Sequence, residues 1–183
     1  MHFEQKSAVH QTLRKIARRL KTLDVPYAIG GGMALFFHGF RRFTEYVDIL
    51  VTREGLREVH RQLAGLGYVP VFTGSKNLRD AEFGVRIEFL LTGEYPGDGK
   101  PKPIAFPNPG ACSLEADEIH WLRLPILVEL KLASGMTNPG RLKDLADVQE
   151  LIRSLNLPAD FVDQLNPFVQ DKFRELWNSV QPT

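Results

Sequence analysis

At 183 residues, 43% of them hydrophobic and 25% charged, the chain has the balance of an ordinary globular domain with room for one core and a small extension. Lysine plus arginine number 23 against 22 for aspartate plus glutamate, so the net charge is +1, which excludes a uniform basic field for grasping nucleic acid but not a local basic patch. The single cysteine, Cys112, excludes an internal disulfide and suits a reducing cytoplasm.

Cys112 reads as a small, half-buried residue rather than a nucleophile. The first twenty residues carry charges throughout and lack the apolar stretch of a secretory signal. No apolar run approaches the ~20 residues that span a bilayer. Residues 4–23 are predicted helical, with Val9, Leu13, Ile16 and Leu20 at helical spacing and basic residues on a solvated face. "VPYAIGGG" is a short strand ending in glycines, and 32–38 a short apolar helix. Residues 45–51 are a strand, and about 54–65 a helix stopped by glycine. Strands are expected at 68–72 and 83–91. The Pro- and Gly-rich stretch 92–110 is loop, with one short strand at 103–106. "EIHWLRL" is a strand. "PILVELKLASG" is a helix with proline in its first turn and an end at Gly135. A longer amphipathic helix starts near Pro139, and two short helices split at Pro167 close the chain. This order predicts an α+β (mixed α/β) fold. Residues 1–124 would form the core and 125–183 a helical part packed on it as one unit.

A strand that delivers glycines to a helix start has phosphate-binding geometry, because free N–H groups and the positive helix end attract an anion. "GGGMAL" is neither the dinucleotide fingerprint nor a P-loop. The next strand carries Asp48, whose face it shares with Tyr46 and Leu50, while Glu45, Val47 and Ile49 take the other. Glu88 is placed similarly in "VRIEFLL", beside Arg86 and Leu90. An acid inside an apolar strand is costly unless paired. Two such acids suit a cation such as Mg²⁺ shared with phosphate oxygens. The alternative for each is a strand-end position or an arginine partner.

Here "GGMALFFHGFRRFTEYVDILV" resembles the nucleotidyltransferase fold of the DNA polymerase beta type. In particular it is similar to small bacterial nucleotidyltransferase-like proteins, including abortive-infection and toxin–antitoxin relatives. "LVELKLASG" and "RLKDLADVQELI" resemble later motifs of that group, and the resemblance covers roughly residues 25–155. It implies a small mixed sheet flanked by helices and transfer of a nucleoside monophosphate from an NTP, with Mg²⁺ or Mn²⁺. The acceptor would be a hydroxyl or phosphate on tRNA, a protein or a small molecule. An antitoxin-like partner and a cytoplasmic setting belong to the same expectation. Gly31 and Gly32 would cradle the triphosphate, with Arg42 and Thr44 in support. Asp48 and Glu88 would be catalytic metal ligands, Glu88 also the general base. Lys131 would approach the phosphates or acceptor, with Lys143 and Asp144 at the nucleotide. Asp144 and Asp147 have an alternative as solvated first-turn charges, Lys131 as a snorkelling lysine. His38 reads as a satisfied helix-end histidine.

The resemblance calls for an acid at position 46, and the residue is Tyr46. A phenol with a pKa near ~10 is no anionic ligand at neutral pH. Three readings stay open: an active enzyme using Asp48, Glu88 and one Mg²⁺, a nucleotide-binding protein that has lost transfer, or an altered copy of an active enzyme. Glu45 points to the opposite face by alternation. Asp80 is the remaining acid that a loop could bring in. A protein-interaction module of the same fold is the alternative to an enzyme.

Overall fold

The computed structural model describes residues 2–183, with side chains from Ser7 onward. The helices are α1 (His2–Thr22), α2 (Gly31–His38), α3 (Arg53–Leu63), α4 (Pro109–Cys112), α5 (Leu124–Thr137), α6 (Leu142–Leu155) and α7 (Pro167–Ser179). The strands are β1 (Ala28–Ile29), β2 (Tyr46–Val51), β3 (Tyr68–Pro70), β4 (Leu78–Asp80), β5 (Arg86–Leu91), β6 (Ser113–Ala116) and β7 (Ile119–Leu122). Among the described residues they form one mixed sheet of order β3-β4-β5-β2-β1-β7-β6. The pairs β2–β5 and β1–β7 are parallel and the others antiparallel.

Strand β2 is central because both its faces are apolar: Val47, Ile49, Leu50 and Val51 are fully buried. Val47 and Ile49 pack with Leu13, Ile16 and Leu20 of α1 and Val59 and Leu63 of α3. Leu50 joins the opposite cluster, built from Leu127, Val128, Val148, Leu151 and Phe173 of α5–α7. The C-terminal helices thus cover one face of the sheet and α1 and α3 the other. No described helix is long and apolar enough to cross a membrane.

Several boundaries differ from the sequence expectation for local reasons. The strand predicted from 83 starts at Arg86, because Gly84 (φ +71°) makes the β4–β5 turn by donating to Asp80 O at 2.8 Å. Strands β4 and β6 were not anticipated; three or four residues with few apolar positions give no readable alternation. Residues 103–106 are not a strand. Phe106 nevertheless donates to Glu94 O (2.8 Å) and accepts from Gly93 N (2.9 Å), which fastens the loop to the end of β5. Gly135 does not end α5, which runs on to Thr137. A Cβ there would lie 2.5 Å from Leu145 Cγ, so the glycine permits the close approach of α5 and α6. Before Pro167 the chain makes a 3-10 turn, Ala159–Gln164, rather than an α-helix.

Candidate active site

Strand β1 feeds α2 through Gly30, whose N–H donates to Asp48 O at 2.9 Å. Gly31 is left-handed at φ +56°, and a Cβ on it would run into the Asp48 carboxylate. A Cβ on Gly32 would lie 2.7 Å from Thr44 Cβ. The glycines are required because Asp48 and Thr44 fill the space beside the helix start. The first N–H groups of α2 have no intrahelical acceptors, so the positive helix end faces the same place. Thr44 closes the turn into β2, its Oγ1 donating to Tyr46 O at 3.2 Å.

This turn borders a cleft of about 700 Å³ between the sheet and the α5–α6 layer. Of the residues singled out from the sequence it is lined by Gly31, Gly32, Arg42, Thr44, Tyr46, Asp48, Glu88, Lys131, Lys143 and Asp144, whereas Asp147 stands behind that wall. Asp48 and Glu88 are direct Cα partners on the parallel strands β2 and β5. Burial, and then the charge of Glu88, push the Asp48 carboxyl up to about 6, against the pull of Lys131, Arg141 and Lys143. Glu88 is paired: Arg86 Nε stands 3.1 Å from its Oε1. Tyr46 is the Cα partner of Arg86, whose guanidinium lies 5.9 Å from the phenol ring centroid.

Lys131 is buried, its Nζ donating to Asp147 Oδ2 (2.9 Å) and Asp144 Oδ1 (3.2 Å). Asp147 also accepts from Arg42 Nη1 at 2.9 Å, and Asp144 from Ser134 Oγ (2.7 Å) and Arg141 Nε (3.0 Å). Burial alone would raise the Asp144 carboxyl, but Lys131, Ser134 and Arg141 outweigh it and hold it below its usual range. Asp144 and Asp147 are therefore not solvated first-turn charges, and Lys131 does not snorkel. The cluster ties the Arg42 segment, and with it the approach to β2, to α5 and α6. Lys143 is exposed at the cleft.

No protein-family model matches the sequence, and no curated protein matches it significantly. Solved structures do match. The solution structure of the antibiotic-resistance factor ANT(2'')-Ia aligns over 98% of this chain and 94% of its own, at 15% identity and a TM-score of 0.58. The crystal structure of ANT(2'')-Ia in complex with adenylyl-2''-tobramycin aligns over 93% of this chain and 98% of its own, at 14% identity and a TM-score of 0.57. JHP933 from Helicobacter pylori aligns over 94% of this chain and 78% of its own, at 16% identity and a TM-score of 0.50. The chain has the nucleotidyltransferase fold.

In this nucleotidyltransferase fold the carboxylate set decides what metal fits. Asp48 and Glu88, side by side over the cleft, suit one Mg²⁺ shared with phosphate oxygens. Position 46 offers a phenol, and among the described residues no group of three or more acids, histidines or cysteines forms a metal cluster.

Two expectations about neighbouring acids are corrected. Glu45 lines the same cleft as Tyr46 instead of facing away, because β2 begins only at Tyr46 and alternation does not reach back to 45. Asp80 does not reach the site. It is buried beneath α1, accepting from Thr12 Oγ1 (2.9 Å) and Lys15 Nζ (2.6 Å). His38 is satisfied at the end of α2, its Nε2 2.7 Å from Leu122 O, and burial holds its pKa down. Cys112 is buried outside the cleft, and burial pushes its thiol up to about 11, which makes it inert.

Sequence reading missed Arg141 and Asn138 as cleft residues, and it reached only the loop, not the residues, that brings in Tyr95 and Phe106. The last two belong to the 92–110 loop. That loop is fixed to the end of α5: Asn138 Nδ2 donates to Gly97 O at 3.2 Å, and a side chain on Gly97 would strike Thr137 and Ser134.

Proposed function

We propose that the cleft binds a nucleoside triphosphate and transfers its nucleoside monophosphate to an acceptor hydroxyl or phosphate. The observation that supports this best is the pair Asp48–Glu88, in register on parallel strands beside the glycine-opened helix α2. The N–H groups at the start of α2 receive phosphate oxygens. Lys143 and Arg141, exposed at the opposite wall, add positive charge over the polyphosphate. Lys131 holds Asp144 and Asp147 and thereby the shape of that wall.

In the transfer, an acceptor oxygen attacks the α-phosphorus, the new O–P bond forms, and the bond to the β-phosphate bridging oxygen breaks to release pyrophosphate. The acceptor's proton would pass to the Asp48–Glu88 pair, the two carboxylates in register over the cleft. A Mg²⁺ or Mn²⁺ held by Asp48 and Glu88 would supply charge stabilisation of the phosphoryl oxygens. The likeness to ANT(2'')-Ia, solved with an adenylylated tobramycin, favours a small hydroxyl-bearing acceptor over tRNA or a protein. Tyr95 and Phe106 of the 92–110 loop would form its apolar wall.

One observation favours a second reading, a nucleotide-binding protein without transfer: Tyr46 stands where an acid is expected and Arg86 engages Glu88. Calorimetry with the four NTPs, with and without Mg²⁺, followed by pyrophosphate release with candidate acceptors, separates the readings. Binding abolished by Asp48→Asn, together with acceptor-dependent release, supports transfer. Binding without release for any acceptor supports the second reading. No binding of any NTP ends both.

A further inference from the structure

The loop between β5 and α4 holds a lysine whose charge is turned inward. A lysine ordinarily leaves its ammonium in water, but the Lys102 side chain is only 5% exposed. Its Nζ donates to Pro96 O, Asp98 Oδ1 and Lys100 O, each at 2.7 Å. An ammonium has three donors, so all of them are used within one short turn. Two carbonyls and a carboxylate around one positive charge make an oxygen cage of the kind that holds a hard cation, with the lysine as the cation. Asp98 Oδ1 also accepts from Lys100 N at 3.0 Å, which closes the turn. Left-handed Gly97 (φ +75°) and Gly99 (φ +73°) let the chain wrap the ammonium. Asp98 N donates to Thr137 Oγ1 at 3.4 Å, which docks the turn on the end of α5.

The same Nζ stands 5.6 Å from the ring centroid of Tyr95, a cation over an aromatic face. Tyr95, Pro96 and Gly97 line the cleft, and Lys102 is not among its lining residues. The charge that shapes the turn therefore lies behind the cleft wall and acts on it through Tyr95. We infer that Lys102 is a positioning residue: its buried ammonium sets the 95–100 turn and holds Tyr95 as a wall for the acceptor, in place before any ligand arrives. This rests on the reading of the cleft given above, in which the phosphates are held elsewhere, at α2, Arg141 and Lys143.

The test labels the four tyrosines of the whole chain with fluorotyrosine and assigns Tyr95 by the resonance lost in Tyr95→Phe. Fluorine NMR and amide hydrogen exchange over 95–102 are followed in the unaltered chain, in Lys102→Met, and in Lys102→Ala with and without n-propylammonium. Affinity for the α,β-methylene analogues of the four NTPs is measured by calorimetry. Lys102→Met keeps most of the stem and drops the charge. It is expected to broaden the Tyr95 resonance and to speed exchange about tenfold. In Lys102→Ala, n-propylammonium replaces the missing stem and charge and is expected to restore both signals. Analogue affinity is expected to stay within about twofold throughout. An unchanged resonance and exchange in Lys102→Met, or no rescue by n-propylammonium, overturns the positioning role. A loss of analogue affinity of about tenfold gives the wall to the nucleotide and overturns its assignment to the acceptor. Failure of the unaltered chain to bind any analogue overturns the nucleotide reading and the acceptor wall with it, while the resonance and exchange still decide whether Lys102 holds Tyr95.

Discussion

Gly31 and Asp48 are so close that a methyl group on the glycine would occupy the space of the carboxylate. The contact joins the helix start to the central strand, and it makes the glycine a condition of the site rather than of the helix. Gly31→Ala meets both the φ +56° backbone and the carboxylate. It is expected to destabilise the protein by roughly 2–4 kcal/mol and to displace Asp48. Urea denaturation reads the first effect and NTP calorimetry the second. An unchanged midpoint would show that the turn relaxes without cost.

Asp48 has the opposite energetic sign to a stabilising residue. Its carboxyl is raised to about 6, so the native state holds that proton more tightly than the unfolded chain does. Between about pH 4 and 6 the native state binds more protons, and this contribution to stability falls as pH rises. Above that window the penalty is fully present, about 3 kcal/mol. Asp48→Asn should therefore be more stable than the unaltered chain at pH 7.5, with the gain shrinking toward pH 4, while losing metal-dependent nucleotide binding. Denaturation midpoints across that range check it; an equal gain at both ends would mean that the carboxylate is not the source.

Lys131 is tested by stability rather than by turnover. Lys131→Met leaves Asp144 and Asp147 buried with one cation fewer, and losing one partner of a buried ionic cluster costs about 3–5 kcal/mol. Arg42 and Arg141 remain on the two acids, so the lower end of that range is expected. If the variant melts like the unaltered chain but loses nucleotide affinity, the lysine is a phosphate ligand and the structural role is wrong.

Four cleft residues were readable in the sequence because each breaks a local rule, and Arg42, Thr44, Lys131, Lys143 and Asp144 were reached only through the family resemblance. Asp48 and Glu88 are acids inside apolar strands, and Gly31 and Gly32 open a helix. What the sequence could not supply was partnership over distance. Nothing local says that Arg42 reaches Asp147 or that Arg86 stands over Tyr46, since the first pair is 105 residues apart and the second depends on β2–β5 register. The misplacement of Glu45 has a similar cause: alternation holds only inside a strand, and its first residue is set by the Thr44 turn. Short strands such as β4 gain their identity from neighbours already in place, so three residues carry no pattern of their own.

Tyr46→Asp is the change the fold invites, and the structure argues against a simple restoration. The new carboxylate would lie beside the Arg86 guanidinium, which now rests over the phenol ring and already engages Glu88. An ion pair between them would neutralise the added charge before a second metal ion could use it. Tyr46→Asp alone is therefore expected to keep one Mn²⁺ per chain in the presence of an α,β-methylene NTP analogue. Tyr46→Asp combined with Arg86→Gln is expected to take two, because only then does a carboxylate at position 46 stand unpaired beside Asp48 and Glu88. Mn²⁺ counting on the two variants decides the matter. A second ion on the single variant would show that Arg86 swings aside at little cost, and that Tyr46 alone limits the site.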